Sequence, residues 1–142
     1  MKSLLAIPAC VCVLGLWGCA GHSHRLARSD DPAVSAGSFS HEGAEERAMV
    51  LEIGGQRFSA RGFEVHRSQN LAELRRRYGA GSKHYERIFS GLDTDHYLYS
   101  ANPELRSDDG LTTRCSLTWR AFGVPAGTCK TAEGKPIQVQ FE

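Results

Sequence analysis

From Leu111 to Ala121 the chain alternates without a slip. Leu111, Thr113, Cys115, Leu117, Trp119 and Ala121 fall on one side, and Thr112, Arg114, Ser116, Thr118 and Arg120 on the other. Successive side chains of a strand point to opposite faces, so this run predicts a half-buried strand with one wall on a core and the other in water. Gly123-Val124-Pro125-Ala126-Gly127 then turns the chain, and a strand through Thr128-Cys129-Lys130 follows. After a Glu133-Gly134-Lys135 turn, Ile137-Gln138-Val139-Gln140-Phe141 alternates again, which makes the final third a meander. If its first two strands pair about a turn centred near Phe122, Cys115 and Cys129 face each other at a cross-strand separation of about 4.5 to 5.5 Å, which suits a disulfide. A two-cysteine metal site lacks two further ligands, and a redox pair calls for closer spacing. A structural disulfide is therefore expected, and closing a loop of about 14 residues contributes roughly 3 kcal/mol in the chain-entropy model.

Upstream, Met49-Val50-Leu51-Glu52-Ile53 and Gln56-Arg57-Phe58-Ser59-Ala60 flank Gly54-Gly55. Glycines accept the positive φ of a tight primed turn, so this is a hairpin with Met49, Leu51 and Ile53 on one face. After Phe63 and Val65 the period changes. Asn70 with Glu73 forms a capping-box pattern, Leu71, Leu74 and Tyr78 share a helical face, and Gly79 supplies a stop, which predicts one short helix over 71–78. The runs Lys83–Phe89 and His96–Ser100 favour strand by their aromatic and Ile content. The expected fold is mainly β (α+β): a small antiparallel β-meander or barrel over residues 47–142, with one short helix and a disulfide. An open sheet and a closed barrel fit the pattern equally.

With 142 residues, 17 basic against 16 acidic side chains and a net charge of +1, the chain has room for one domain and lacks the basic excess that nucleic-acid binding requires. Residues 1–18, MKSLLAIPACVCVLGLWG, place Lys2 before an apolar stretch that Pro8 interrupts and that is too short for the roughly 20 residues of a membrane span. This is the pattern of a secretory signal. Its end, Leu16-Trp17-Gly18-Cys19, resembles the lipobox of bacterial lipoproteins. The resemblance implies cleavage before Cys19, acylation of that cysteine (palmitate among its chains) and retention in a membrane. Ala20, where an inner-membrane retention signal would place Asp, implies an outer-membrane position facing the periplasm. Cys10 and Cys12 would leave with the signal, so Cys115 and Cys129 stay as an even pair in an oxidising compartment. Residues 20–46 mix Gly, Ser, Ala, His and both charges with no sustained apolar period, and are expected to be a flexible tether, giving a lipidated-Cys-plus-tether segment over 19–46.

The arrangement Arg114-Cys115-Ser116-Leu117-Thr118-Trp119, Gly127-Thr128-Cys129, Gly134 and Ile137–Phe141 resembles the C-terminal ends of small bacterial lipoproteins, and brings architecture with it rather than an activity. The chain has no G-x-S-x-G, H-E-x-x-H or phosphate loop, so a non-catalytic module without cofactor is expected. The residues a catalytic reading would need, His84, His96, Asp93 and Asp95, read better as turn-forming groups. His22, His24 and His41 lack the fixed third ligand of a metal site, and no metal is expected. Arg75, Arg76 and Arg77 form the one candidate patch for an anionic ligand, although with charge balanced along the chain a solvated helix face is the preferred reading. The expected partners are the membrane, through the lipid, and an envelope protein or glycan met by an exposed strand edge. The alternative is an inhibitor of a secreted enzyme: the periplasmic lysozyme inhibitors are also small disulfide-linked lipoproteins, but their Ser-Gly-x-x-Tyr motif is not reproduced by Ser90-Gly91 and Tyr97.

Overall fold

The computed structural model describes residues 22–42, 46–78 and 96–142. Within them the chain runs β1 (His22–Ser29), β2 (Val34–Glu42), β3 (Ala48–Ile53), β4 (Gln56–Arg61), β5 (Val65–Gln69), α1 (Leu71–Tyr78), β6 (Tyr97–Ala101), β7 (Glu104–Ser107), β8 (Thr112–Arg120), β9 (Ala126–Lys130) and β10 (Pro136–Phe141). Every pairing is antiparallel. The order β1-β2-β3-β4-β7-β8-β9-β10 returns to β1, because β1 pairs β10 and β8 pairs β9 as well as β7, and an eight-stranded barrel closes. Closure removes every free edge from that ring.

Two strands of the wall are interrupted. β7 pairs the first part of β8 (Glu104 with Arg114) and β6 pairs the second (Leu98 with Arg120), so β6 and β7 lie end to end along it. Pro103 marks the break: it has no amide to donate, but its carbonyl accepts the Cys115 N–H at 2.9 Å and keeps the ladder continuous. β4 and β5 break in the same way at Gly62, whose φ of 66° lets the chain turn there. The β5–β6 pair thus extends one wall beyond the ring.

The alternation that identifies β8 is visible in its burial: Thr113, Cys115, Leu117 and Trp119 are buried, and Arg114, Ser116, Thr118 and Arg120 are exposed. Met49, Leu51, Phe58, Leu105, Ile137, Val139 and Phe141 complete a single core inside the ring, with Phe39 at its centre. The Gly54-Gly55 hairpin forms as expected, with both glycines at positive φ. Helix α1 spans the expected residues, and the Asn70 side chain accepts the Glu73 N–H at 3.2 Å at its start. Cys115 and Cys129 are register partners joined by a disulfide, with Cα atoms 3.9 Å apart. Two residues before Cys129 stands Gly127, where a Cβ would collide with the Ser116 carbonyl of the neighbouring strand, so only glycine allows β8 and β9 to approach this closely. Strands β5 and β7 have no counterpart in the sequence-based expectation, because Val65–Gln69 and Glu104–Ser107 each carry too few apolar residues to show a period.

The expected tether over 19–46, and the domain boundary at residue 47, are corrected over residues 22–42 by β1 and β2, while 19–21 and 43–45 lie outside the described residues. Residues 22–42 are barrel wall. Leu26 pairs with Phe141 and Ser29 with Val139, and Arg25 and Glu142 exchange both backbone hydrogen bonds at 2.9 and 2.8 Å. The segment is poor in apolar residues because only one face of a barrel strand needs them, and Leu26, Val34 and Phe39 provide that face. Three register shifts, at Ala27, Ser35 and His41, insert an extra residue and break the alternation by which strands are recognised. Gly37 belongs to the same design: a Cβ there would meet Leu51 Cδ2 at 2.7 Å.

The far end of the closing seam is held by an ion pair. Lys135, in the β9–β10 turn, lies 2.6 Å from the carboxylate of Asp31 in the β1–β2 turn, and Asp31 also accepts the Ala33 N–H at 2.9 Å. The Lys135 hydrogen bond, followed by that of Ala33, holds the Asp31 carboxyl below its usual 3.8, and the same contact raises Lys135 above 10.5. A depressed carboxyl contributes stability above its unfolded value and loses it as the pH falls through the folded one. In urea titrations Asp31→Asn is expected to be less stable than the wild type at pH 7. That difference should shrink as the pH drops below 3.8, and a difference constant down to pH 2 would remove the ion pair from the account.

Candidate site at the barrel mouth

At the end of the barrel where β1 begins, a cleft of about 300 Å³ is lined by His24, His41, Tyr99, Trp119, Phe122 and Glu142, among others. Its position follows from register. His24 pairs with Phe39 and Ser23 with Ser40, but His22 pairs with Glu42, which leaves His41 as the bulged residue. The bulge re-aims the His41 ring so that it stacks on His24, with centroids 5.1 Å apart and planes 5° from parallel. Their Nε2 atoms are 3.0 Å apart, so one ring donates and the other accepts.

Aromatic rings form the floor. His41 lies 4.8 Å from Trp119 and 5.5 Å from Phe39, Tyr99 stacks on Trp119 at 5.7 Å, and Phe39 meets Trp119 edge-on at 5.4 Å. Trp119 is only 5% exposed, so the cleft has an apolar base with two imidazoles on one wall. Such a combination suits an apolar or aromatic group carrying one hydrogen-bonding function. At the opposite end a second cleft, of about 310 Å³, lies among Phe58, Leu111, Ile137 and the Asp31–Lys135 pair.

Of the residues singled out in the sequence, Cys115 and Cys129 are brought together as a disulfide. Arg75 and Arg76 are exposed on α1, which is tied to the mouth by the Glu73–Arg120 ion pair at 3.5 Å. The Arg77 side chain lies outside the described residues, as do Cys19, the signal segment, His84, Ser90, Gly91, Asp93, Asp95 and the run Lys83–Phe89. His96 sits at the turn before β6, where its carbonyl accepts the Asn70 N–H at 2.8 Å. Among the described residues no group of three or more His, Cys, Asp or Glu side chains is placed to hold a metal ion. The His24–His41–Trp119 group was not singled out as a site in the sequence, because its members are far apart in the chain and a bulge aligns them.

No family model matches the chain, and no curated protein or solved structure matches it either.

Removing the ring that bridges Phe39 and Trp119 should disturb both. His41→Ala is expected to cost about 2 kcal/mol in stability and to weaken the near-ultraviolet circular dichroism of Trp119. An unchanged near-ultraviolet spectrum would contradict the packed arrangement.

Proposed function

We propose that the chain is a lipid-anchored protein of the bacterial cell envelope, most simply in the outer membrane facing the periplasm, whose barrel is a non-catalytic binding or structural module. The observation that carries this reading is the pairing of the two cysteines that follow the lipobox-like Leu16-Trp17-Gly18-Cys19 as a cross-strand disulfide inside a closed barrel. Disulfides persist in oxidising compartments, so the bridge and the export signal agree on destination. The closed ring leaves recognition to the mouth cleft, with its imidazoles and aromatic floor, and to the outer edge of β5, which pairs with β6 alone among the described strands and fits the strand-edge recognition expected from the sequence.

The test is chemical. Intact-mass measurement of the protein isolated from membranes is expected to show a chain beginning at Cys19 and carrying acyl groups, with Cys19→Ala giving an unacylated product. Recovery of a wild-type chain cleaved elsewhere, with an unmodified Cys19, would remove the anchor from the reading.

A further inference from the structure

The β8–β9 connection, residues 121–125, places Phe122 94% exposed and Val124 44% exposed. Phe122 is also the one non-glycine with positive φ among the described residues, at 60°. A left-handed backbone is unfavourable for a residue with a Cβ, and an aromatic ring in water adds nothing to the core. Neither feature stabilises the barrel, so both point outward to a contact.

The location of this loop relative to the start of β1 says what that contact is. Arg25 of β1 is hydrogen-bonded to Glu142, and the preceding Phe141 donates its N–H to the Pro125 carbonyl at 2.9 Å. The loop therefore stands two strands from the beginning of β1, about 10 Å across the barrel rim. Only Ala20 and Gly21 separate Cys19 from His22, so the acylated residue lies within roughly 11 Å of the strand. A barrel held that closely must rest its N-terminal end on the leaflet that holds the acyl chains. Charge agrees with this orientation. Exposed Arg75 and Arg76 belong to α1 at the same end, where Glu46 is paired with Arg61 and Glu73 with Arg120, while Glu64 and Glu142 stay exposed. The turns at the opposite end carry Asp30, Asp31, Asp108, Asp109 and Glu133, with Lys135 the basic residue among them. By this count the first end is balanced and the second is acidic, so anionic phospholipid headgroups repel the second end and leave the first free to approach.

We propose that residues 121–125 form a membrane-contacting tip, with Phe122 and Val124 entering the phospholipid leaflet that carries the Cys19 acyl chains. The proposal rests on acylation of Cys19 and adds an orientation to it: the mouth cleft opens toward the bilayer. Long-chain or aromatic molecules leaving that leaflet would meet the cleft first.

The experiment uses the mature acylated protein in vesicles of phosphatidylethanolamine and phosphatidylglycerol containing a trace of phospholipid with a photoactivatable group on its acyl chain. After illumination and proteolysis, mass spectrometry locates the label. It is expected on the peptide containing Phe122, and Phe122→Asp should reduce it by about tenfold. Phe122→Gly relieves the positive φ and should be at least as stable as the wild type to heat, while losing the label to a similar degree. Acylated protein labelled instead on the 108–111 or 131–135 turns, or nowhere in the barrel, would overturn the docking while leaving the anchor intact. An intact mass without acyl groups would overturn both.

Discussion

Antiparallel pairing of β1 with β10 is the interaction on which this fold depends. Without it the remaining strands form a curled open sheet with two long unpaired edges and a core exposed along the seam. With it, Leu26 covers Phe141, Phe39 is enclosed by Phe63, Trp119 and Phe141, and the mouth acquires the wall that carries His24. Three devices make the closure possible: bulges that bend β1 and β2, the missing Cβ of Gly37 under Leu51, and the Asp31–Lys135 contact at the far end of the seam. Each removes a steric or electrostatic obstacle to bringing the first described strand against the last.

The later part of the chain was largely legible, and for a physical reason. β8 and β10 bury large residues at every second position, so their period survives in the letters, and the register that sets Cys115 opposite Cys129 follows from the turn between them. The Gly54-Gly55 hairpin and the Asn70 cap are local chemistry and were equally readable. The first strands were not, because a barrel wall facing water on its outside needs few apolar residues. His22–Glu42 looks like a solvated leash in composition. What organises it is a ladder to β3 on one side and β10 on the other, and that partner lies about a hundred positions away. The same reasoning accounts for the mouth: His24 and His41 were visible as histidines, but only the bulge at His41 makes them a stacked pair over Trp119.

Closing the ring also changes what the lipid anchor would do. A leash of some 27 residues would let the domain roam roughly 25 to 30 Å from the membrane, free to present any face. With Cys19 acylated as proposed, a barrel that starts three positions after it would be held against the surface with one end down. Its orientation, the exposure of Phe122 and the arginines of α1 would then be parts of one arrangement, in which the bilayer sets which molecules reach the cleft.

The central claim is that residues 22–42 are barrel wall, and native-state amide hydrogen exchange on the mature protein at neutral pH tests it most directly. The account predicts that peptides spanning 24–28 and 36–40 exchange as slowly as the disulfide-bearing strand 112–120, since all open only when the ring opens. Exchange of those two segments at the rate of an unstructured chain, with 112–120 still protected, would contradict it and return the first strands to a tether.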